Sequence, residues 1–307
     1  MSRGRVLRAG RPAMKTLAVV TPSYGPDAEH FGDLHRSVLE FTSSDTVHHV
    51  VVPRPDRRLF APYAGPRCRV WTVEELLPRR YVKVPGRGLW INVRRPWPPV
   101  RGWVMQQIIK IAATAAMDTD VVLVADSDVV LVRPVTAARA LIDGRMLLHR
   151  LEGGVHAQMP RHVLWHQVAR DLLKLPPPPQ PPLPDYMSPL TFWQPATVHK
   201  LQDRLRETTG RHWIEAFGAR LHISEFMLYG VFVDEVLSAT DGRPPSDTSV
   251  CHKTPDESPM DLHTALEFAG KLGREAVGMM ISSKSGTPPE VRQAAIRHGI
   301  EVAAQTS

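Results

Sequence analysis

Cysteine is scarce in this chain. Cys68 and Cys251 are the only two in 307 residues. That excludes a disulfide framework, and the pair lacks the spacing of a zinc ribbon, so a reducing, cytoplasmic setting is the default. Long apolar runs are missing too. No window approaches the roughly 18 uninterrupted apolar residues of a membrane-spanning helix, so no integral membrane contact is expected. Residues 1–15 contain no acid but carry Arg3, Arg5, Arg8, Arg11 and Lys15. Such a tail resembles the start of a secretory signal, yet the apolar stretch behind it, LAVV, is too short for one. Residues 1–13 read as a disordered basic tail, with Met14 as the expected initiator.

What is present is enough apolar material for a large core: 43% of the residues are hydrophobic and 22% charged. The net charge of +7 and pI near 9.7 raise the question of nucleic acid. The distribution answers it. Without the first 15 residues, 33 basic side chains face 31 acidic ones, and a nearly neutral body is not the electrostatic footprint of a nucleic-acid binder.

Strand-like and helical patterns alternate. TLAVVT (16–21) reads as a strand ending at Pro22, residues 28–41 as a helix, and 48–53 and 68–73 as two further strands. Residues 78–100, rich in proline, arginine and tryptophan, show no sustained period and read as a long ordered loop or lid. GWVMQQIIKIAATAAM (102–117) is a strong helix leading into VVLVADSDVV (121–130). The expected fold is α/β, a mostly parallel sheet in residues 14–144 and an α-rich second half in 145–307, packed as one unit.

In VVLVADSDVV two carboxylates, Asp126 and Asp128, interrupt apolar runs where a buried strand ends. Ligands of open α/β sheets bind beyond the carboxyl ends of the strands. If the chain stays extended there, both side chains point to one side, and like charges that close repel unless a cation or a shared proton lies between them. Mg²⁺ or Mn²⁺ answers that need with oxygen ligands. A plain turn with Asx hydrogen bonds is the other reading.

VVLVADSDVVLVRP resembles the DxD strand of GT-A glycosyltransferases, the Rossmann-like enzymes of nucleotide-diphospho-sugars. TPSYGPD, GWVMQQIIKIAA, SEFMLYGVFVDEV and a late Cys-His pair resemble one bacterial GT-A-like family, DUF6492. The resemblance implies a metal-dependent enzyme without flavin or NAD, its partner a nucleotide-diphospho-sugar. It places the nucleotide at Thr21, Pro22, Tyr24 and Asp27. Asp126, Asp128 and His252 become the metal ligands, Lys253 a phosphate contact, and Glu225 an acid beside the sugar or acceptor. Glu225 also follows Ser224, a possible N-cap, where it is simply a good dipole partner.

Cationic side chains stabilise a departing diphosphate as a metal does. Lys110, beside Gln107 on the helix before the DxD strand, is a candidate for that work and so is Arg145; Lys110 equally fits a solvated helix face. His156, His162 and His166 lack a fourth ligand for zinc and read as structural. Asp234 and Glu235 read as surface residues, and the C-terminal strand and helix as completing the fold. The family resemblance favours isomerisation of a GDP-hexose between pyranose and furanose forms in an antibiotic-biosynthesis setting; the alternative is transfer of the sugar to a soluble acceptor. The absence of a membrane anchor and of a basic amphipathic surface places the mutase first.

Overall fold

The computed structural model describes residues 15–142, 145–238, 249–254 and 257–306. The basic tail 1–13 and Met14 lie outside the described residues. Strands β1 (Leu17–Pro22), β2 (Val47–Val52) and β3 (Cys68–Thr72) run parallel, and β7 (Val121–Ala125) joins the other edge of β1, also parallel. β13 (Leu190–Trp193) pairs antiparallel with β7, giving the order β13-β7-β1-β2-β3. The expected α/β class with a mostly parallel sheet is what the chain adopts.

Every residue of β1 and β7 is buried, as parallel strands covered on both faces require. The period of two sorts them. Ala18, Val20, Val122 and Val124 enter the core under α4 (Gly102–Ala115), while Leu17, Val19, Val121, Leu123 and Ala125 enter the core that holds Leu34 and Val38 of α1 (Ala28–Phe41). Each such side chain contributes roughly 1.5–3 kcal/mol by leaving water. α4 is buried nearly all round, against β1, α6 (Pro195–Thr209), α7 (Trp213–Gly218) and α8 (Glu225–Val231). It has no solvated face for Lys110 to occupy.

After β7 the chain turns and enters a second sheet, β14-β15-β8, of β8 (Val129–Leu131), β14 (Cys251–Lys253) and β15 (Gly278–Met280). Val130 and Met279 there pack against Ala265 and Ala269 of α9 (Leu262–Gly270) and Ala295 and Ala303 of α10 (Pro289–Gln305).

Residues 78–101 depart from the long ordered loop or lid expected of 78–100. They form a three-stranded antiparallel sheet: β4 (Tyr81–Lys83), β5 (Leu89–Asn92) and β6 (Arg95–Arg101). Only Tyr81, Trp90 and Val100 bury apolar side chains from it. Strands this short, one of them carrying three prolines that an edge strand tolerates, leave no legible period.

Candidate active site at the carboxyl edge

β1 and β7 end side by side, and the Asp-Ser-Asp stretch begins where β7 stops. It is not extended, as period-two alternation assumed. The Val129 N–H donates to Asp126 O (3.2 Å), closing a turn that carries the chain from one sheet to the other, and the Asp126 N–H donates to Pro189 O at 2.9 Å. Ser127 is buried and its hydroxyl reaches Pro22 O (3.3 Å) and Ser23 Oγ (3.0 Å), pinning the turn to the end of β1. Asp126 and Asp128 flank it, half-buried.

Lys110, only 6% exposed, reaches up from α4. Its Nζ stands 2.7 Å from Asp126 Oδ1 and 2.8 Å from Glu225 Oε1, over the ring of Phe226. One turn earlier on the same helix face, Gln107 Oε1 accepts the Glu225 N–H at 3.0 Å. Ser224 caps α8 through the Met227 N–H, fixing where Glu225 begins the helix. Burial opposes the charge on Lys110, yet Asp126 and Glu225 hold its ammonium above the ordinary lysine range. Burial pushes the Glu225 carboxyl up, and Lys110 pulls it back. The expected catalytic pair is thus engaged with itself, bracing Asp126.

Asp27, in the loop after β1, completes the acidic cluster. Burial and then the charges of Asp128 and Asp126 push its carboxyl up to about 6, while Lys284 draws it down. Asp128 is raised by burial and by Asp126, and lowered by the Ser283 N–H, which donates to its Oδ2 at 2.8 Å. Carboxylates that raise one another are a field prepared for a cation. Among the described residues, no three His, Cys, Asp or Glu side chains stand close enough to enclose an ion. Two carboxylates of this kind fit a hard, hydrated divalent cation that takes only one or two protein oxygens.

His252 does not join this pair. Its Nε2–H donates to Phe268 O at 2.8 Å and its ring stacks on Phe268, centroids 4.3 Å apart. The alternation of β14 explains it: Cys251 and Lys253 share the opposite face. There burial raises the Cys251 thiol, with Lys253 opposing and Asp128 and Asp126 adding to the shift. Lys253 Nζ lies 3.4 Å from Met187 O. Thr21 is turned inward, its hydroxyl 2.9 Å from His48 Nε2. Pro22 offers its carbonyl to Ser127, and Tyr24 is 38% exposed beside Asp27, which with burial raises its phenol. Arg145 lies exposed on β10 (Arg145–Met146), paired with β9 (Leu141–Ile142) away from the main sheet.

Two further expectations are corrected. Asp234 and Glu235 are not free surface residues: Asp234 Oδ2 accepts from Arg150 Nε (2.7 Å) and from the Tyr186 hydroxyl (2.7 Å), and Glu235 pairs with Arg170. Gly230 on α8 leaves room for the Tyr186 ring, which any Cβ there would overlap. The C-terminal segment, read as only completing the fold, supplies the Ser283 N–H, Lys284 and Arg292 to the site. The Arg292 guanidinium donates to Asp128 O at 3.2 Å and pairs with Asp33 of α1. The signal was a strand followed by Ser-Ser-Lys-Ser-Gly and a Pro-Pro helix start, a loop able to turn amides and an ammonium toward an anion.

Residues 14–243 match a family of unknown function, DUF6492. The chain belongs to that family. No curated protein matches it. Among solved structures, mouse xyloside xylosyltransferase 1 in its apo form is 12% identical, with 78% of this chain and 87% of that one covered at a TM-score of 0.43. The galactosyltransferase LgtC, in complex with donor and acceptor sugar analogues, is 12% identical, with 70% of each chain covered at a TM-score of 0.37. The DUF6492 span ends before Cys251, so Lys253, Lys284 and Arg292 come from beyond it.

Proposed function

We propose that this DUF6492 protein is a divalent-metal-dependent enzyme of GT-A type that takes a sugar from a nucleotide-diphospho-sugar and passes it to an acceptor. The observation that carries the reading is the pair Asp126 and Asp128 on a turn at the carboxyl edge of a parallel sheet, with Asp27 in the adjoining loop raised to about 6 by burial and then by the charges of both. A bound Mg²⁺ or Mn²⁺ would offset the charge that a departing diphosphate gains. Asp126 and Asp128 hold it. Lys284, whose charge is felt at Asp27, and Lys253 meet phosphate oxygens. Lys110 and Glu225 act as positioning residues: both are buried, Lys110 fixes Asp126 from below and Glu225 holds Lys110. A groove of about 1370 Å³ opens beyond the ends of β2 and β3, lined by Arg54, Pro55, Glu74 and Tyr81 among others, and has room for a nucleoside. The Gly25 N–H, donating to Asp56 Oδ2 at 3.0 Å, ties the loop after β1 to the loop after β2 beside it.

Pyranose–furanose isomerisation would use the same departure of the diphosphate and a return through another ring oxygen. The sequence grounds for ranking it first are the absence of a membrane anchor, of a basic amphipathic surface and of an acceptor module beyond the core, and none of them is a feature of the site itself. Incubation of the purified protein with UDP-, GDP- and dTDP-hexoses, Mn²⁺ and a panel of sugar acceptors tests the reading. Glycosylated acceptor and free nucleoside diphosphate, both abolished by EDTA and by Asp128→Ala, are expected. A product of unchanged mass with furanose ring signals would replace transfer by isomerisation, and turnover indifferent to EDTA would overturn the metal site.

A further inference from the structure

We infer that the β4–β6 sheet is a docking surface for an anionic lipid bilayer. Residues 78–101 carry seven Lys and Arg side chains and no Asp or Glu, a density of one charge sign found nowhere else in the described body of the chain on this scale. The structure turns this segment into a projecting antiparallel sheet. Tyr81, Trp90 and Val100 are buried against the body, while a register shift between Trp90 and Asn92 breaks the alternation and leaves most of β6 exposed. Trp97 is 80% exposed, Val93 at the β5–β6 turn 61%, and Val82, paired with Ile91, 49%.

Carboxylates of the body answer only part of this charge. Glu215 lies 3.5 Å from Arg80, and Glu74 and Glu75 line the groove that Lys83 shares. Arg87, Arg94, Arg95 and Arg101 are exposed and take part in no ion pair among the described residues. A hairpin tip of Val93, Arg94 and Arg95 followed by Trp97 combines the two elements of interfacial binding. Cationic side chains are drawn to the negative surface potential, and a tryptophan seats its amphipathic ring at headgroup depth. Charge complementarity selects the occupant. Nucleic acid would use the same cations and could stack on Trp97, but Val82 and Val93 offer it nothing, whereas a headgroup layer accepts isolated protruding apolar groups of any shape. No helix among the described residues is long and apolar enough to cross a membrane, so the contact is peripheral. It is independent of the reaction proposed above and would bring the carboxyl-edge site to the surface of a bilayer.

Flotation of the full chain with phosphatidylglycerol/phosphatidylcholine vesicles, against pure phosphatidylcholine vesicles, tests it. Binding to the anionic vesicles alone, weakened by salt, is expected. Arg94→Glu with Arg95→Glu weakens binding by roughly thirtyfold or more, and Trp97→Ser by several-fold, with thermal unfolding unchanged because all three side chains are exposed. Cys68 and Cys251 are buried, so Trp97→Cys provides the one exposed thiol; an environment-sensitive dye there shifts to the blue with anionic vesicles. No vesicle binding, equal binding to neutral vesicles, or binding that survives the hairpin variants and so belongs to the basic tail or another surface, would each overturn the inference.

Discussion

Two polar clusters are buried on either side of the end of β1, and they hold their charge differently. On the α4 side, Lys110 stays protonated between Asp126 and Glu225. On the α1 side, Thr21, His48 and His35 form a chain of contacts, 2.9 Å from the hydroxyl to His48 Nε2 and 3.1 Å between the two Nδ1 atoms, packed among Phe31 and Tyr63. Among the described residues no carboxylate joins them there. Burial holds His48 well below the ordinary imidazole value. Burial alone therefore does not set ionisation; a partner of opposite charge does. One cluster fixes a carboxylate at the site, and the other lets the strand beneath it stay neutral and dry.

Breaking the first cluster has the largest expected effect. Lys110→Met leaves Asp126 and Glu225 facing each other without a cation, and stability in urea unfolding should fall by about 3–5 kcal/mol. Glu225→Gln keeps the Lys110–Asp126 contact and should cost clearly less, about 1–3 kcal/mol. Equal losses would show that the triad does not share one charge.

The second cluster answers to acid. Its imidazoles titrate lower in the folded chain than the 6.5 of a free one; His49, half-buried on the other face of β2 beside Trp71, falls to about 4 through burial and the charge of Arg69. Below pH 6.5 the unfolded chain therefore binds protons that the native one refuses. Stability present above that pH is lost as pH falls, by up to about 1.4 kcal/mol per pH unit for each such group. Thermal melts between pH 7 and 5 of the protein and of His48→Phe check this, the variant losing part of the slope.

At the acidic trio the expected effects concern metal. Asp126→Asn or Asp128→Asn should weaken Mn²⁺ binding by at least tenfold, roughly what loss of even an outer-shell partner costs. Asp27, raised to about 6, takes up a proton as pH falls through that value. Mn²⁺ affinity by calorimetry should drop there, and Asp27→Asn should flatten the step. The smallest effect is at His252, whose Nε2–H is spent on Phe268 O: His252→Gln should leave Mn²⁺ affinity within about twofold, below the tenfold scale of a lost ligand contact.

The strands that build the sheet were legible because β1 and β7 are unbroken apolar runs and α1 has a clear helical stripe. Asp126 and Asp128 were legible because charge stands out where such a run ends. Lys284, Arg292 and the Ser283 amide were not legible as site groups. They lie 155 or more residues beyond Asp128, on elements of ordinary composition, and only the pairing of β15 with β8 carries them to it. His252 shows the limit of a motif: one residue along β14 decides which face a side chain takes, and its neighbour faces the acids instead.

By itself the sequence determined the α/β class, the parallel strands and two carboxylates at a strand end, since local period and the cost of burying charge act along the chain. Tertiary structure decided that Lys110 is a buried brace rather than a surface cation, that the C-terminal loop faces the acids, and that residues 78–101 form a basic sheet with an exposed tryptophan. Those outcomes depend on which distant elements share a surface, and period and composition do not encode that.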